Sequence, residues 1–275
     1  MSVETHISLA SQSKACKNPV SGSTVGSRRA GHFRQMCNTV FIADDFGLNE
    51  ATNLAIVRAH REGALHGASL MLGQPGTAQA VTLAREHPAL RIGWHLHLCD
   101  SLPVTQTAWP WGDSPTRAGL AIGLLPGARK LMRTEVREQW GQLVAAGLVC
   151  EFVNAHHHLH VHPAVLREIK SVLPADFSGW LRGFNVRCFD DRPNATGRFA
   201  RLLGPLVRRW LRRGRRLRMS DTLWGLDRLF QMRSGEVRSA MRTLPSGCHE
   251  FVFHPRGTVP DADLEALFQL REPPA

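Results

Sequence analysis

The chain has 275 residues, 43% hydrophobic and 21% charged, the balance of a globular protein long enough to bury one full-sized core. No apolar stretch reaches the length of a membrane span, and residues 1–35 lack the apolar run of a secretory signal, so a cytoplasmic location is expected. The net charge of +11 is local: residues 1–35 carry Lys14, Lys17, Arg28, Arg29 and Arg34 against Glu4, residues 197–218 carry nine arginines and no acid, and the remainder is slightly acidic.

The six cysteines (16, 37, 99, 150, 188 and 248) are scattered without a CxxC pair, which speaks against a zinc ribbon or a disulfide framework and for buried or idle thiols. Residues 1–35 are rich in Ser, Gly and basic side chains without an apolar period, so they are expected to be a disordered extension. Met36 is then an alternative start for a single folded domain over residues 36–275. Strand and helix signals alternate from there: a strand over 39–43, a helix over 50–63 ending at Gly63, and a short strand over 68–72. A helix over 77–87 stops before Pro88, a strand runs over 90–98, a helix over 134–146 closes at Gly147, and 150–162 reads as another strand region. Residues 163–173 look helical with Pro163 in the first turn, and 181–188 reads as a strand. Residues 199–213 form an amphipathic helix interrupted or kinked near Pro205, 236–244 a helix, and 250–254 a last strand. This alternation argues for a parallel sheet with helices, open or closed into a barrel. There is no internal repeat, GxGxxG or GxxxxGK[ST], so nucleotide binding has no support.

Three clusters of chemistry-bearing residues follow apolar strands, at the C-terminal rim where parallel α/β folds place their sites. The first is Asp44-Asp45 in Ala43–Gly47. Neighbouring carboxylates are costly there unless a positive charge sits with them; the competing reading is a solvated turn. The second is His95 and His97 in Gly93–Leu98, which share a face of a strand and are either metal ligands or core histidines. The third is residues 154–163, where five of the chain's 14 histidines fall within seven residues. On an extended chain His156, His158, His160 and His162 lie on one side, which suits a metal-rich or proton-relay site better than a low-complexity tract. His254, at the end of the last strand, is a weaker candidate for the same rim.

At these residues the sequence resembles the YdjC-like carbohydrate deacetylase family, which includes chitooligosaccharide deacetylases, from about Val40 to Leu267. ADDFGLNEATNLAI, ASLMLG, GWHLHL, NAHHHLHVHP and FVFHP stand in the family's order. The resemblance implies an irregular parallel (β/α) barrel of the polysaccharide-deacetylase-like type, with Asp45, His95 and His156 as ligands of a divalent metal ion. It implies Asp44 as general base, with His158 and His254 as catalytic residues lining the site. Asn154-Ala155, the arginine-rich middle and SDTLWGL are similar to the hopanoid-biosynthesis-associated branch, HpnK, which implies a lipid-linked N-acetylglucosamine substrate. Chitooligosaccharide deacetylases usually read Asp-Ser where this chain has Asn154-Ala155, which counts against a chitooligosaccharide.

The expected function is therefore metal-dependent removal of an acetyl group from an amino sugar. Two histidines and a carboxylate suit magnesium, zinc, manganese or iron alike. The competing readings are an ester or phosphoester hydrolase on the same scaffold, a basic nucleic-acid-binding protein, or a histidine-rich metal binder without turnover. Nucleic acid is not an expected partner, since the excess charge lies in a tail and one helix and no binding motif occurs. That helix reads either as an ordinary surface helix burying its apolar stripe on the barrel or, with Trp and Leu beside clustered Arg, as one lying at a lipid headgroup layer, which would bring peripheral contact with the inner membrane face.

Overall fold

The computed structural model describes residues 39–106, 108–190, 195–214 and 217–271. The expected disordered extension over residues 1–35 lies outside them. The first half runs β1 (Thr39–Phe46), α1 (Glu50–Glu62), β2 (Gly67–Leu70), α2 (Thr77–Glu86), β3 (Arg91–Leu96), α3 (Pro115–Leu124), α4 (Pro126–Ala145) and β4 (Cys150–Ala155). A 3-10 segment (His156–Val161) leads to α5 (Pro163–Val172), β5 (Trp180–Leu181), β6 (Val186–Arg187) and α6 (Ala195–Leu211). The chain continues through β7 (Arg218–Met219), β8 (Thr222–Trp224), α7 (Ser234–Met241), β9 (His249–Phe253) and α8 (Ala262–Leu270). No described helix is long and apolar enough to cross a membrane.

The nine strands form one sheet in the order β6-β8-β9-β1-β2-β3-β4-β5-β7, and every ladder in it is parallel. Parallel strands need covered faces, and β2 and β9 are buried at every residue while β1 is buried after its first. The core between sheet and helices is built on Phe46, Ile56, Leu70, Trp94, Val136, Ile169, Phe251 and Phe253. The sheet is strongly curled. Arg182, just after β5, bonds Glu250 on β9 at 2.6 Å. Those strands are five ladder steps apart, roughly 24 Å in a flat sheet at about 4.8 Å per step. One side chain spans that only if the sheet curls into an incomplete barrel, so the irregular parallel (β/α) barrel is the observed class.

Local chemistry explains the helix ends. Asn49 caps α1 by accepting the Thr52 N–H at 2.9 Å, Ser114 caps α3 from Arg117, and Pro163 opens α5 where a backbone donor is not needed. Four sequence expectations need correction. The helix expected over 134–146 starts at Pro126, and α3 precedes it where the sequence signals predict no element. The strand expected over 181–188 is two short strands near opposite ends of the sheet order, because the chain crosses between the barrel's two edges there. The strands β7 and β8 and the helix α8 add to the predicted elements. The strand expected over 150–162 ends at Ala155, with consequences for the histidine tract.

Candidate functional site

Adjacent residues on a regular strand face opposite ways, yet Asp44 and Asp45 both reach one centre. The ladder from β1 to β2 pairs Ala43 with Ala68 and Phe46 with Leu70, so one extra residue is accommodated between them. Asp45 sits in this bulge at φ 67°, a conformation uncommon for a non-glycine residue. The irregularity turns Asp45 onto His95 from β3: Asp45 Oδ1 lies 3.3 Å from His95 Nε2, while Asp44 Oδ1 lies 3.9 Å from Nδ1 on the other side of the ring. His156, the first residue after β4, completes the group with Nδ1 3.2 Å from the same Asp45 oxygen.

Ligand atoms of Asp45, His95 and His156 lie within 4.8 Å of one another. Asp45 Oδ1 and His95 Nε2 are buried without a well-formed hydrogen bond, an arrangement that is costly unless a further partner is shared between them. The tautomer of His95 agrees with a ligand role. Its Nδ1 donates to Asn154 Oδ1 at 2.6 Å, which leaves the Nε2 lone pair aimed at Asp45. Burial works against charge on Asp45, but contacts with His156 and His95 outweigh it and hold the carboxyl well below its usual range. Burial likewise opposes a charge on His156, and Asp45 outweighs it in the other direction, so its pKa is raised. These residues fit a divalent ion held by one carboxylate and two imidazoles.

Asp44 is set apart from that group by a dense set of donors. Oδ1 accepts from Ser69 Oγ at 2.6 Å, Asn154 Nδ2 at 3.0 Å and Arg182 Nη2 at 2.8 Å; Oδ2 accepts from Arg182 Nη1 at 2.6 Å. Burial alone would raise its pKa, but the Arg182 guanidinium, with His95, overrides that and holds the carboxyl far below the usual range. Arg182 is itself fully buried and joins Asp44 to Glu250. His254 follows β9 with Nε2 3.8 Å from Asp44 Oδ2, its backbone N–H fixed by Asp263 Oδ2 at 2.6 Å. Its buried Nδ1 makes no hydrogen bond.

The histidine tract does not present four side chains on one face. His157 and His158 have φ of 50° and 57°, which breaks the two-residue alternation. His156 enters the centre, His157 Nε2 bonds Asp100 Oδ2 at 3.0 Å, and His162 accepts the Ala164 N–H at 3.3 Å at the start of α5. His160 is buried and His158 partly buried beside Arg182; desolvation and that charge hold the pKa of His158 well below its usual value and push that of His160 down to about 3. His97 is a core histidine: Nε2 donates to the Leu72 carbonyl at 2.8 Å, and burial lowers its pKa to about 3. The expected residues Asp44, Asp45, His95, His156, His158 and His254 are thus brought to one region. Sequence reasoning misses Ser69, Arg182, Glu250, Asp100 and Asp263; it marks Asn154 for its identity and not for its bond to His95. Ser69 stands inside the ASLMLG run, while Arg182 carries no local signal.

The family model described as "YdjC-like protein" matches residues 39–269. A carbohydrate deacetylase of Brevibacillus brevis is 42% identical over 125 residues, covering 45% of this chain and 50% of that protein. A carbohydrate deacetylase of Vibrio campbellii is 30% identical over 135 residues, covering 48% and 54%. The chain spans about half the length of the curated relatives it matches. Among solved structures, one described as a cellobiose-phosphate cleavage protein from Enterococcus faecalis superposes with a TM-score of 0.55 at 16% identity, covering 84% of this chain and 91% of that one, a likeness of fold.

Proposed function

The chain belongs to the YdjC-like protein family, and from that membership and the arrangement around Asp45 we propose that it removes the acetyl group from an N-acetylated amino sugar with the help of a divalent metal ion. The observation that carries the reading is the cluster of Asp45, His95 and His156 ligand atoms, with buried Asp45 Oδ1 and His95 Nε2 lacking a hydrogen-bond partner, beside an ionised and separately held Asp44. Asp45, His95 and His156 would hold the ion, and Asn154 would keep His95 in the ligating tautomer. When bound, such an ion supplies Lewis acidity toward water and the acetyl carbonyl.

The remaining steps fall to the chain's own side chains. Asp44 accepts the proton of the attacking water. Its Oδ2 takes one hydrogen bond against three on Oδ1, and it faces His254. Arg182 keeps Asp44 ionised and fixed; this makes it a weak base, so it accepts the proton only briefly and its role rests on position and on being unprotonated at every working pH. His254 protonates the departing amine. His158 is the poorer donor, since burial and Arg182 disfavour its charged form, and its role is to wall the site.

The substrate we propose is lipid-linked. Leu202 and Leu206 on α6 are 79% and 66% exposed, one turn apart, and Arg209, Arg212 and Arg213 beyond them are exposed as well. An apolar edge next to guanidinium groups suits a headgroup layer, which agrees with the hopanoid-type reading. The test is acetate release from soluble N-acetylglucosamine oligomers and from lipid-linked N-acetylglucosamine, with and without chelator, on wild type, Asp45→Asn, His156→Ala and Asp44→Asn. We expect chelator-sensitive turnover with the higher kcat/KM on the lipid-linked compound. Bound metal should be lost in the first two variants, and turnover alone in the third. Full metal content in the Asp45 and His156 variants, or no acetate from any substrate, would overturn the reading.

A further inference from the structure

A cavity lies apart from the Asp45 centre. It encloses about 660 Å³, within the size of small-molecule sites. Its walls come from residues 183–187, the C-terminal half of α6, the chain entering β8, and Pro245, Ser246 and His249 at the start of β9. The Asp45 cluster stands at the C-terminal ends of β1, β3 and β4, whereas this cavity is lined by the chain entering β8 and β9 together with residues that follow β5 and β7. The two sites share no residue.

Three guanidinium groups line it: Arg187 from β6, Arg208 from the last turn of α6, and Arg212 just after that helix. Among the described residues none of the three pairs with a carboxylate; Arg208 Nη1 donates to Asn185 Oδ1 at 3.1 Å and so is held over the cavity. Arginines in the last turn of a helix are ordinarily explained by its dipole. That account does not reach Arg187, which comes from a strand, nor the engagement of Arg208 with Asn185. The single carboxylate present, Asp221, has Oδ2 occupied by the Cys248 N–H at 2.8 Å. Ser220 Oγ accepts from the Gly183 N–H at 2.8 Å, leaving its hydroxyl proton to donate elsewhere. Phe184, Leu211 and Met219 supply an apolar floor.

Three like charges around one cavity repel each other unless an anion sits among them, and guanidinium forks match phosphate oxygens in geometry as well as charge. We propose that this cavity binds a phosphate ester, with Arg187, Arg208 and Arg212 on the phosphate and the apolar floor under the attached organic group. Such a group is offered by a free phosphorylated metabolite or by a phospholipid headgroup.

Calorimetric titration of the full chain with glycerol 3-phosphate, at ionic strength held constant with chloride, tests this. Wild type should bind; Arg187→Gln/Arg212→Gln should lose at least about tenfold in affinity, the order expected for charge-assisted contacts of this kind. His156→Ala should bind as wild type does, which separates this cavity from any phosphate affinity of the Asp45 centre. Asp221→Asn, which keeps an oxygen for the Cys248 N–H and removes the opposing charge, should bind severalfold tighter, so the proposal stays testable if the double variant folds poorly. Equal affinity in wild type and the arginine variant, weakening in Asp221→Asn, or loss in His156→Ala overturns it. Sedimentation with phosphatidylglycerol vesicles distinguishes the sources: loss of vesicle binding in the arginine variant assigns a lipid headgroup, and unchanged vesicle binding with loss of glycerol 3-phosphate assigns a soluble ester.

Discussion

Arg182→Met separates the charge of the buried bridge from its volume. Arg182 gives Nη1 and Nη2 to Asp44 and Nε to Glu250, and the side chains of Arg182 and Glu250 are both 0% exposed. Methionine fills part of the space and offers no charge, so two buried carboxylates lose their shared partner. Removing one partner of a buried pair costs about 3–5 kcal/mol. At about 2–4 °C per kcal/mol for a body of this size, that is a melting point lower by roughly 6–20 °C. The pH dependence should also change sign. In the wild type the folded pKa of Asp44 lies far below the ordinary value, so its contribution is complete above about pH 4 and is lost only as pH falls through the lowered value. In the variant only Ser69, Asn154, His95 and His254 are left to oppose burial, and the folded pKa of Asp44 should move up past the unfolded one. A raised carboxylate stabilises at low pH and loses that contribution as pH rises, so the variant should be less stable at pH 8 than at pH 5. Urea unfolding followed by circular dichroism, in chelator to remove any effect of bound metal, measures both. Combining Arg182→Met with Asp44→Asn and Glu250→Gln should recover most of the loss. A variant within about 1 kcal/mol of wild type at pH 8, or one equally weakened at both pH values, refutes the reasoning.

Two other changes probe the centre and the sheet beneath it. Asn154→Ala removes the acceptor 2.6 Å from His95 Nδ1, and metal affinity should fall about 10–100-fold without vanishing, as measured by competition with a chromophoric chelator; unchanged affinity would deny Asn154 its orienting role. Gly93→Ala would set a methyl 2.2 Å from the Phe152 ring, which is itself stacked on Trp180, and should cost at least about 1–3 kcal/mol in urea unfolding; a neutral result would mean that Phe152 moves freely.

Much of the site is legible in the amino-acid sequence because its parts follow apolar runs that end at one rim. Asp44-Asp45, His95 and His156 each close a strand of a parallel sheet, and that sheet is readable from the alternation of strand and helix signals. The short strands β5 to β8 are harder to read: two- and three-residue ladders carry no periodicity, and 181–188 joins two of them into one apparent strand. The helix α3 is hidden because 98–134 carries no strand or helix signal strong enough to separate it from a connection.

Sequence by itself determined the parallel α/β class and which acidic and histidine residues stand at the strand ends, since those depend on hydrophobic period and on local residue identity. Tertiary structure decided which of those residues meet. His95 and His97 have the same parity, yet one faces Asp45 and the other a backbone carbonyl in the core. The four histidines of like parity from His156 to His162 separate, because side-chain alternation holds only while the strand continues and the chain leaves the sheet at Ala155. The ionisation of Asp44 rests on Arg182, 138 residues away along the chain. No local pattern announces such a partner, because a buried charge is neutralised by whichever group the curl of the sheet brings opposite it.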